Sequence, residues 1–234
     1  MNITPVHTAV FKEREDLAAF IVRHIPSVPE ETVLTVSSKL VGLWKGLTAA
    51  YKNREQKEEL IVRESDAALK TPLAWLTIKN GMVMTNAGID ESNADGKLIL
   101  LPADCYACAA ELRVQLQTAW SVRDLGVIIT DSMILPLRAG IIGAAVAYAG
   151  FKGVKDLRGR PDIFGRKLGV TLVDAADALA ACALTMGEAD ERRPLCLVRD
   201  APVEFADAAD PDEIKYPPQD DLYAPLLKAV KLIK

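Results

Sequence analysis

Apolar side chains recur along this chain with two different periods. From Asp16 to Ile25, Leu17, Phe20, Ile21 and Ile25 share one face at helical spacing, which predicts an amphipathic helix. The next run, "TVLTVSSK", is β-branched and alternating, so it predicts a strand ending at the polar pair Ser37 and Ser38. "REQKEELIVRESDAALK" predicts a charged helix. In "AWLTIKNGMVMT" two apolar runs flank Asn80-Gly81, the preferred two-residue hairpin turn, and two antiparallel strands are expected there. "GKLILLP" and "LGVIITDS" predict short apolar strands, with a helix between them from Asp104, its cap, to about Trp120.

Farther along, "DAADALAACALTMG" predicts an alanine-rich helix ended by Gly187, and "PLCLVRD" a strand behind it. "DPDEIKYPPQDD" carries Pro211 and Pro217-Pro218 among acids and predicts a loop. "LYAPLLKAVKLIK" predicts a closing helix with its Leu and Val residues turned inward. "AGIIGAAVAYAGF", Ala139 to Phe151, is too short and too rich in Gly and Ala to span a bilayer, and predicts a buried, closely packed segment. Helices and strands alternate irregularly around at least one hairpin. An α+β or mixed α/β architecture therefore fits better than a doubly wound parallel sheet.

Composition narrows the classes further. A chain of 234 residues, 50% hydrophobic and 26% charged, accommodates one large soluble domain or two interlocked small ones. The net charge of -4, with acids and bases mixed, argues against a nucleic-acid surface and against an anionic membrane. "MNITPVHTAVFKERED" has charges where a secretory leader would be apolar, so none is expected. Four cysteines, Cys105, Cys108, Cys182 and Cys196, suit a reducing cytoplasm as free thiols. "CYAC" has CxxC spacing, yet a tetrahedral zinc site needs two more ligands, and Cys182 and Cys196 fall on different elements. Small core or surface residues is the preferred reading. His7 and His24 form no cluster, and neither is given a catalytic role.

No Walker A loop is present, and "GIIGAA" lacks GxGxxG spacing, which favours close backbone packing over dinucleotide binding. What remains is acids at the ends of elements: Asp90 after "NAGI", Asp131 with Ser132 at the end of "GVIIT", and Glu188 after Gly187. Carboxylates gathered from three elements would suit a hard cation such as Mg2+ or Mn2+; the alternative is that they cap turns and helices. Arg138 follows Asp131, and Lys155, Arg158, Arg160 and Arg166 lie among glycines. They form either an anion clamp or a solvated loop.

The tracts "VLTVSSKLV", "VMTNAGIDESN", "LILLPAD", "GVIITDSMILPLRAG", "AYAGFKGVKDLRGRPDIFGR" and "TMGEADERRPL" resemble, in order, those of the coenzyme F-420 gamma-glutamyl ligase family. The likeness runs from about Thr32 to Arg199. Its wording is closest to a bacterial branch of gamma-glutamate ligases assigned to folate metabolism. The resemblance implies an α+β fold of mixed sheets with hairpins, packed helices and interlocked subdomains, forming a homodimer. It also implies one ligase domain over residues 1–234 without the nitroreductase-like extension of some relatives. The implied activity joins L-glutamate to a small-molecule carboxylate acceptor, a deazaflavin F-420 precursor or a folate-like pterin, through an acyl-phosphate made with GTP or ATP and divalent metal.

Position by position, Asp90 and Asp131 match the acids on one metal, while Ser132, where the family usually has Thr, and Glu188 match ligands of a second. Ser38, Lys39 and Asn93 match nucleotide contacts, as does the loop Met186, Gly187, Glu188, Ala189, Asp190, Glu191, Arg192 and Arg193. Arg138 would help hold the anions. Departures fall at His7 to Val10, where the family has Gly-x-Pro, at Leu43, where it has lysine, and at Met133 to Leu135, where it has Phe-Gly-Arg. They leave open a protein of the same fold that binds nucleotide with altered or lost catalysis.

Overall fold

The computed structural model describes residues 1–185 and 192–232. In chain order the elements begin with β1 (Asn2–Val6), α1 (Leu17–His24), β2 (Thr32–Ser37), α2 (Ser38–Trp44), β3 (Thr48–Ala50) and α3 (Arg54–Arg63). Next come β4 (Ala67–Lys70), β5 (Trp75–Lys79), β6 (Met82–Thr85), β7 (Lys97–Ile99), α4 (Cys105–Trp120), β8 (Leu125–Met133) and β9 (Ile142–Ala149). The chain continues through β10 (Val154–Asp156), β11 (Leu172–Asp174), α5 (Ala175–Leu184), β12 (Leu195–Arg199) and α6 (Ala224–Ala229). The architecture is mixed α+β.

The principal sheet has the order β1-β12-β2-β8-β9, with β2 and β8 parallel and the other neighbours antiparallel. Thr32 to Val36 are all buried, so the alternation expected of β2 gives way to burial on both faces. That is the usual lot of a strand covered on each side. Leu34, Val36, Val127 and Ile129 join α1 and α4 in the larger core, while Val33, Ile128 and Val198 join Leu179 and Ala180 of α5 in a second one. Sheet alternation thus sorts one strand's residues into two cores.

Several expected elements are present. Asp16 caps α1, its side chain accepting from the Ala19 N–H at 2.9 Å, and Leu17, Phe20, Ile21 and Ile25 are buried. The Asn80-Gly81 hairpin joins β5 to β6, and Asp104 caps α4 through the Ala107 N–H at 2.8 Å. The segment from Ala139 is buried as expected only in part: 139–141 are exposed and Gly140 has open space around it, while from Gly143 onward the packing is close, a Cβ there standing 2.3 Å from the Ala180 carbonyl oxygen, so β9 and α5 meet backbone to backbone.

Two expectations are corrected. The charged helix from Arg54 stops at Arg63, and Ala67–Lys70 instead forms β4, pairing with the open edge of β5. A lone hairpin is marginal in water, and the third strand supports it. The closing helix α6 has six residues and buries Ala224, while Leu226 and Val230 are exposed; Leu232, beyond it, is buried. Its apolar residues border a cavity, described below, instead of entering the core.

Candidate functional site

The hairpin delivers its polar tract through a left-handed turn. Asn86, Ala87 and Gly88 have φ of 53°, 56° and 69°. Only glycine takes this region without cost, so the turn holds only because its surroundings fix it. The Asn86 Oδ1 accepts the Trp75 N–H at 3.0 Å, and the buried Thr77 hydroxyl oxygen accepts the Ala87 N–H at 2.8 Å. Past the turn, Asp90 is held by a bridge to Ile99, with N–H to O distances of 3.0 and 2.8 Å. Its side chain is thereby aimed from a rigid backbone.

Asp131 arrives from a different element. In β8 it follows a register shift at which Ile129 faces Ala147 but Thr130 faces Ala145, leaving Val146 of β9 as the extra residue. Bulges of this kind re-aim side chains. The Ser38 hydroxyl, just past β2, donates to Asp131 Oδ1 at 3.2 Å, and a Cβ on Gly88 would lie 3.3 Å from Asp131 Oδ2. Lys39 Nζ stands 2.7 Å from Asp90 Oδ2, and the Ser92 N–H donates to Asp90 Oδ1 at 2.7 Å. Ser38, Lys39, Gly88 and Asp90 line one small recess with Ile99, Leu100 and Leu101.

The two carboxyls are driven apart electrostatically. Burial pushes Asp131 up to about 6, against the partial relief of the Ser132 backbone N–H, the Ser38 hydroxyl and the Lys39 charge, and the Asp90 charge pushes the same way as burial. At Asp90 burial also raises the proton affinity, but the Lys39 hydrogen bond and charge, with the Ser92 N–H, outweigh it, and the net direction is down. Anionic charge is therefore compensated at Asp90 and under-compensated at Asp131.

This donor set fits a hard divalent cation. Two carboxylates and a hydroxyl converge, and an ammonium already occupies the side of Asp90 that a cation would approach. Among the described residues no group of three His, Cys, Asp or Glu gathers. Mg2+ is commonly held by one or two carboxylates together with substrate phosphates, which is the arrangement Asp90 and Asp131 could provide.

The other expected residues divide. Strand alternation turns Ser132 to the α5 side of β8, opposite Asp131, since Ile128 and Ile129 already lie in different cores. Asn93 is exposed, with φ of 56°. Arg138 lies in the exposed loop 134–141, away from the recess that Ser38, Lys39 and Asp90 line. Arg192 and Arg193 are exposed, and the Arg192 carbonyl accepts the Thr8 N–H at 2.9 Å. Met186, Gly187, Glu188, Ala189, Asp190 and Glu191 lie outside the described residues.

Of the supposed anion clamp, Lys155, Arg158, Arg160 and Arg166 are all exposed, and Arg158 grips Asp156 through Nε at 3.0 Å and an Nη at 2.7 Å. That favours the solvated-loop alternative for Arg158. The CxxC pair opens α4 with both thiols buried; burial first, then the Cys108 charge, pushes Cys105 up to about 12, so it is no nucleophile at neutral pH. Leu43, at the departure from lysine, packs against the larger core.

A feature with no sequence signal is a cavity of about 1330 Å³, walled by the β5–β6 hairpin, α4, the end of β8, β9 and the segment from Asp207 to Val230. Its walls come from parts of the chain remote from one another, which no local pattern reports.

Comparison with known proteins adds the family context. The family model described as F420-0:Gamma-glutamyl ligase matches residues 5–200. A Methanopyrus kandleri protein named coenzyme F420:L-glutamate ligase is 41% identical over 145 residues, 60% of this chain; the match spans 57% of that relative's length. Proteins of the same name from Methanococcus maripaludis and Archaeoglobus fulgidus are each 34% identical, over 202 and 208 residues, covering 81% of this chain in both cases and 81% and 83% of the relatives.

Proposed function

The chain belongs to the F420-0:Gamma-glutamyl ligase family, and from that premise we propose that it joins L-glutamate to a carboxylate acceptor, using GTP or ATP with Mg2+ or Mn2+. The observation carrying this reading is the convergence of Asp90, Asp131, Ser38 and Lys39 from three separate segments. The acceptor is a deazaflavin F-420 precursor, in keeping with the names of the relatives, or a folate-like pterin.

An acceptor carboxylate oxygen attacks the terminal phosphorus of the nucleotide, and the nucleoside diphosphate leaves. The amine of glutamate then attacks the acyl carbon, loses a proton, and expels phosphate. Asp90 and Asp131 would hold the metal, which supplies charge neutralisation on the phosphates. Lys39 holds a phosphate oxygen once released from Asp90, and Ser38 keeps the Asp131 carboxylate oriented through its hydroxyl. Glu188 and Ser132 are assigned to a second metal. Asn93, the 186–193 loop and Arg138 are assigned to the nucleotide and its anions.

Pairing of two copies is supported by apolar side chains left in water: Leu137, Ile141, Ile163, Phe164 and Val170 are all more than half exposed. A second reading, nucleotide binding with altered or lost catalysis, is favoured by Leu43, which offers an aliphatic side chain where family members carry a cation.

One incubation separates the two. Protein, Mg2+ or Mn2+, GTP or ATP, glutamate and a panel of deazaflavin and pterin carboxylates are combined. Ligase activity requires phosphate release dependent on both glutamate and acceptor, with a product heavier by one glutamyl unit. Nucleotide binding without turnover across the panel supports the second reading, and absence of metal-dependent nucleotide binding removes both.

A further inference from the structure

The cavity between the hairpin, α4 and the C-terminal segment is unaccounted for by the carboxylate site. At about 1330 Å³ it exceeds the few hundred to roughly 1,000 Å³ of an ordinary small-ligand pocket, and is large enough for several fused rings with a side chain. Its walls are largely aliphatic and aromatic. Tyr106 and Tyr148 form one wall as an edge-to-face pair with centroids 5.4 Å apart, and Tyr148 is fixed by a 2.6 Å hydrogen bond to Glu213. Among the described residues the Tyr106 hydroxyl is buried without a hydrogen-bond partner.

The charges around the cavity decide what it accepts. Asp104, Asp174, Asp177, Asp207 and Asp221 border it, against the cations Arg113 and Lys215. Both cations are already engaged: Arg113 donates to the carbonyls of Leu125 at 2.7 Å and Asp207 at 3.3 Å, and Lys215 pairs with Asp212 at 3.1 Å. Arg113 also stands 3.6 Å from the Asp207 carboxylate, and a triphosphate would meet an excess of carboxylates, five against two cations. A neutral heteroaromatic with N–H donors would meet ring faces and acceptors.

The cavity also lies within reach of the reaction. Asp131 and Met133 are two residues apart on β8 and share a face, so the Met133 wall begins roughly 7 Å from Asp131. A ring system seated in the cavity can thus extend a carboxylate to the Asp90–Asp131 recess.

We propose that this cavity receives the uncharged, multi-ring head of the acceptor, while the nucleotide stays on the Lys39 side of the carboxylates. The proposal rests on the ligase reading for the word acceptor, but its test does not require turnover. Ala107 and Ala110, exposed on α4 and facing the cavity, offer positions for filling it without disturbing the core. The probes are 5-deazariboflavin and pteroic acid, followed by their own fluorescence on titration with Ala110→Trp, Ala107→Trp and unaltered protein.

At least one probe binds the unaltered protein, and either tryptophan weakens it about tenfold or more. Metal-dependent binding of a non-hydrolysable GTP analogue stays unchanged in both variants. The proposal is overturned if neither probe binds, if both variants bind as the parent does, or if the tryptophans change only the sedimentation of the protein, which would make the cavity an interface between copies. Failure of the nucleotide analogue to bind the parent protein refutes the ligase reading alone, because probe binding is measured without it.

Discussion

Asp131→Asn separates the cost of the site from its function. The Asp131 carboxyl is pushed from its ordinary 3.8 to about 6 in the folded chain, mainly by burial. The folded state therefore holds this proton more tightly than the unfolded state. Stability from this group is greatest below pH 3.8, declines as pH rises, and reaches its lowest level above about 6. The difference of about 2 pH units corresponds to about 3 kcal/mol of destabilisation at neutral pH without metal. Asparagine keeps the shape and an oxygen for the Ser38 hydroxyl but carries no charge. At pH 7.5, in chelator, Asp131→Asn is expected to melt about 6–12 °C higher than the parent, since 1 kcal/mol moves a chain of this size by about 2–4 °C. At pH 4 the advantage disappears. Mn2+ in large excess should raise the melting temperature of the parent by mass action and leave that of the variant unmoved. Scanning calorimetry at the two pH values, with and without Mn2+, tests all of this. A variant less stable than the parent at pH 7.5 in chelator, or one stabilised equally by Mn2+, would refute the account of a buried, under-compensated carboxylate.

Three further outcomes are expected. Lys39→Met removes the ammonium competing for Asp90, so Mn2+ affinity without nucleotide should rise by up to about fivefold, given that so exposed a pair is worth at most about 1 kcal/mol; nucleotide affinity should fall, and a drop in Mn2+ affinity by electron paramagnetic resonance would count against the competition. Gly88→Ala places a Cβ 2.0 Å from Leu101 Cδ1 and 3.3 Å from Asp131 Oδ2 at a φ of +69°; the turn should lose about 1–2 kcal/mol and metal-dependent nucleotide binding should weaken, and calorimetry with equilibrium dialysis would expose an unaffected variant. Gly143→Ala forces β9 from the Ala180 carbonyl and should cost about 1–3 kcal/mol in urea titration, whereas a neutral result would mean that the sheet and α5 slide apart freely.

Much of the site was legible because its pieces are carried by short segments. "NGMVMTNAGID" announces a hairpin and an acid within eleven residues, and the structure keeps that order, adding between them a left-handed turn at Asn86 to Gly88 that the pattern of residues had not signalled. "GVIITDS" likewise announces a strand with an acid at its end. The Lys39–Asp90 pair was not legible as a pair, since the partners are far apart in the chain and meet only because the loop after β6 crosses the end of β2. Nor could β4 be told from a helix extension: "SDAALK" has no pattern of its own and becomes a strand by pairing with β5.

The order of turns, caps and strands follows from forces acting within a few residues, such as the turn preference of Asn80-Gly81 or the capping oxygen of Asp104, so reading the residues sufficed for these. Proton affinity is another matter. Asp90 and Asp131 are the same residue type at similar strand ends, and one is pushed down while the other is pushed up. That split depends on what each meets after folding, a directly paired ammonium in one case and, in the other, burial that a hydroxyl, a backbone N–H and a more distant ammonium only partly offset, because desolvation and Coulomb energy are set by distances in space and not by separation along the chain.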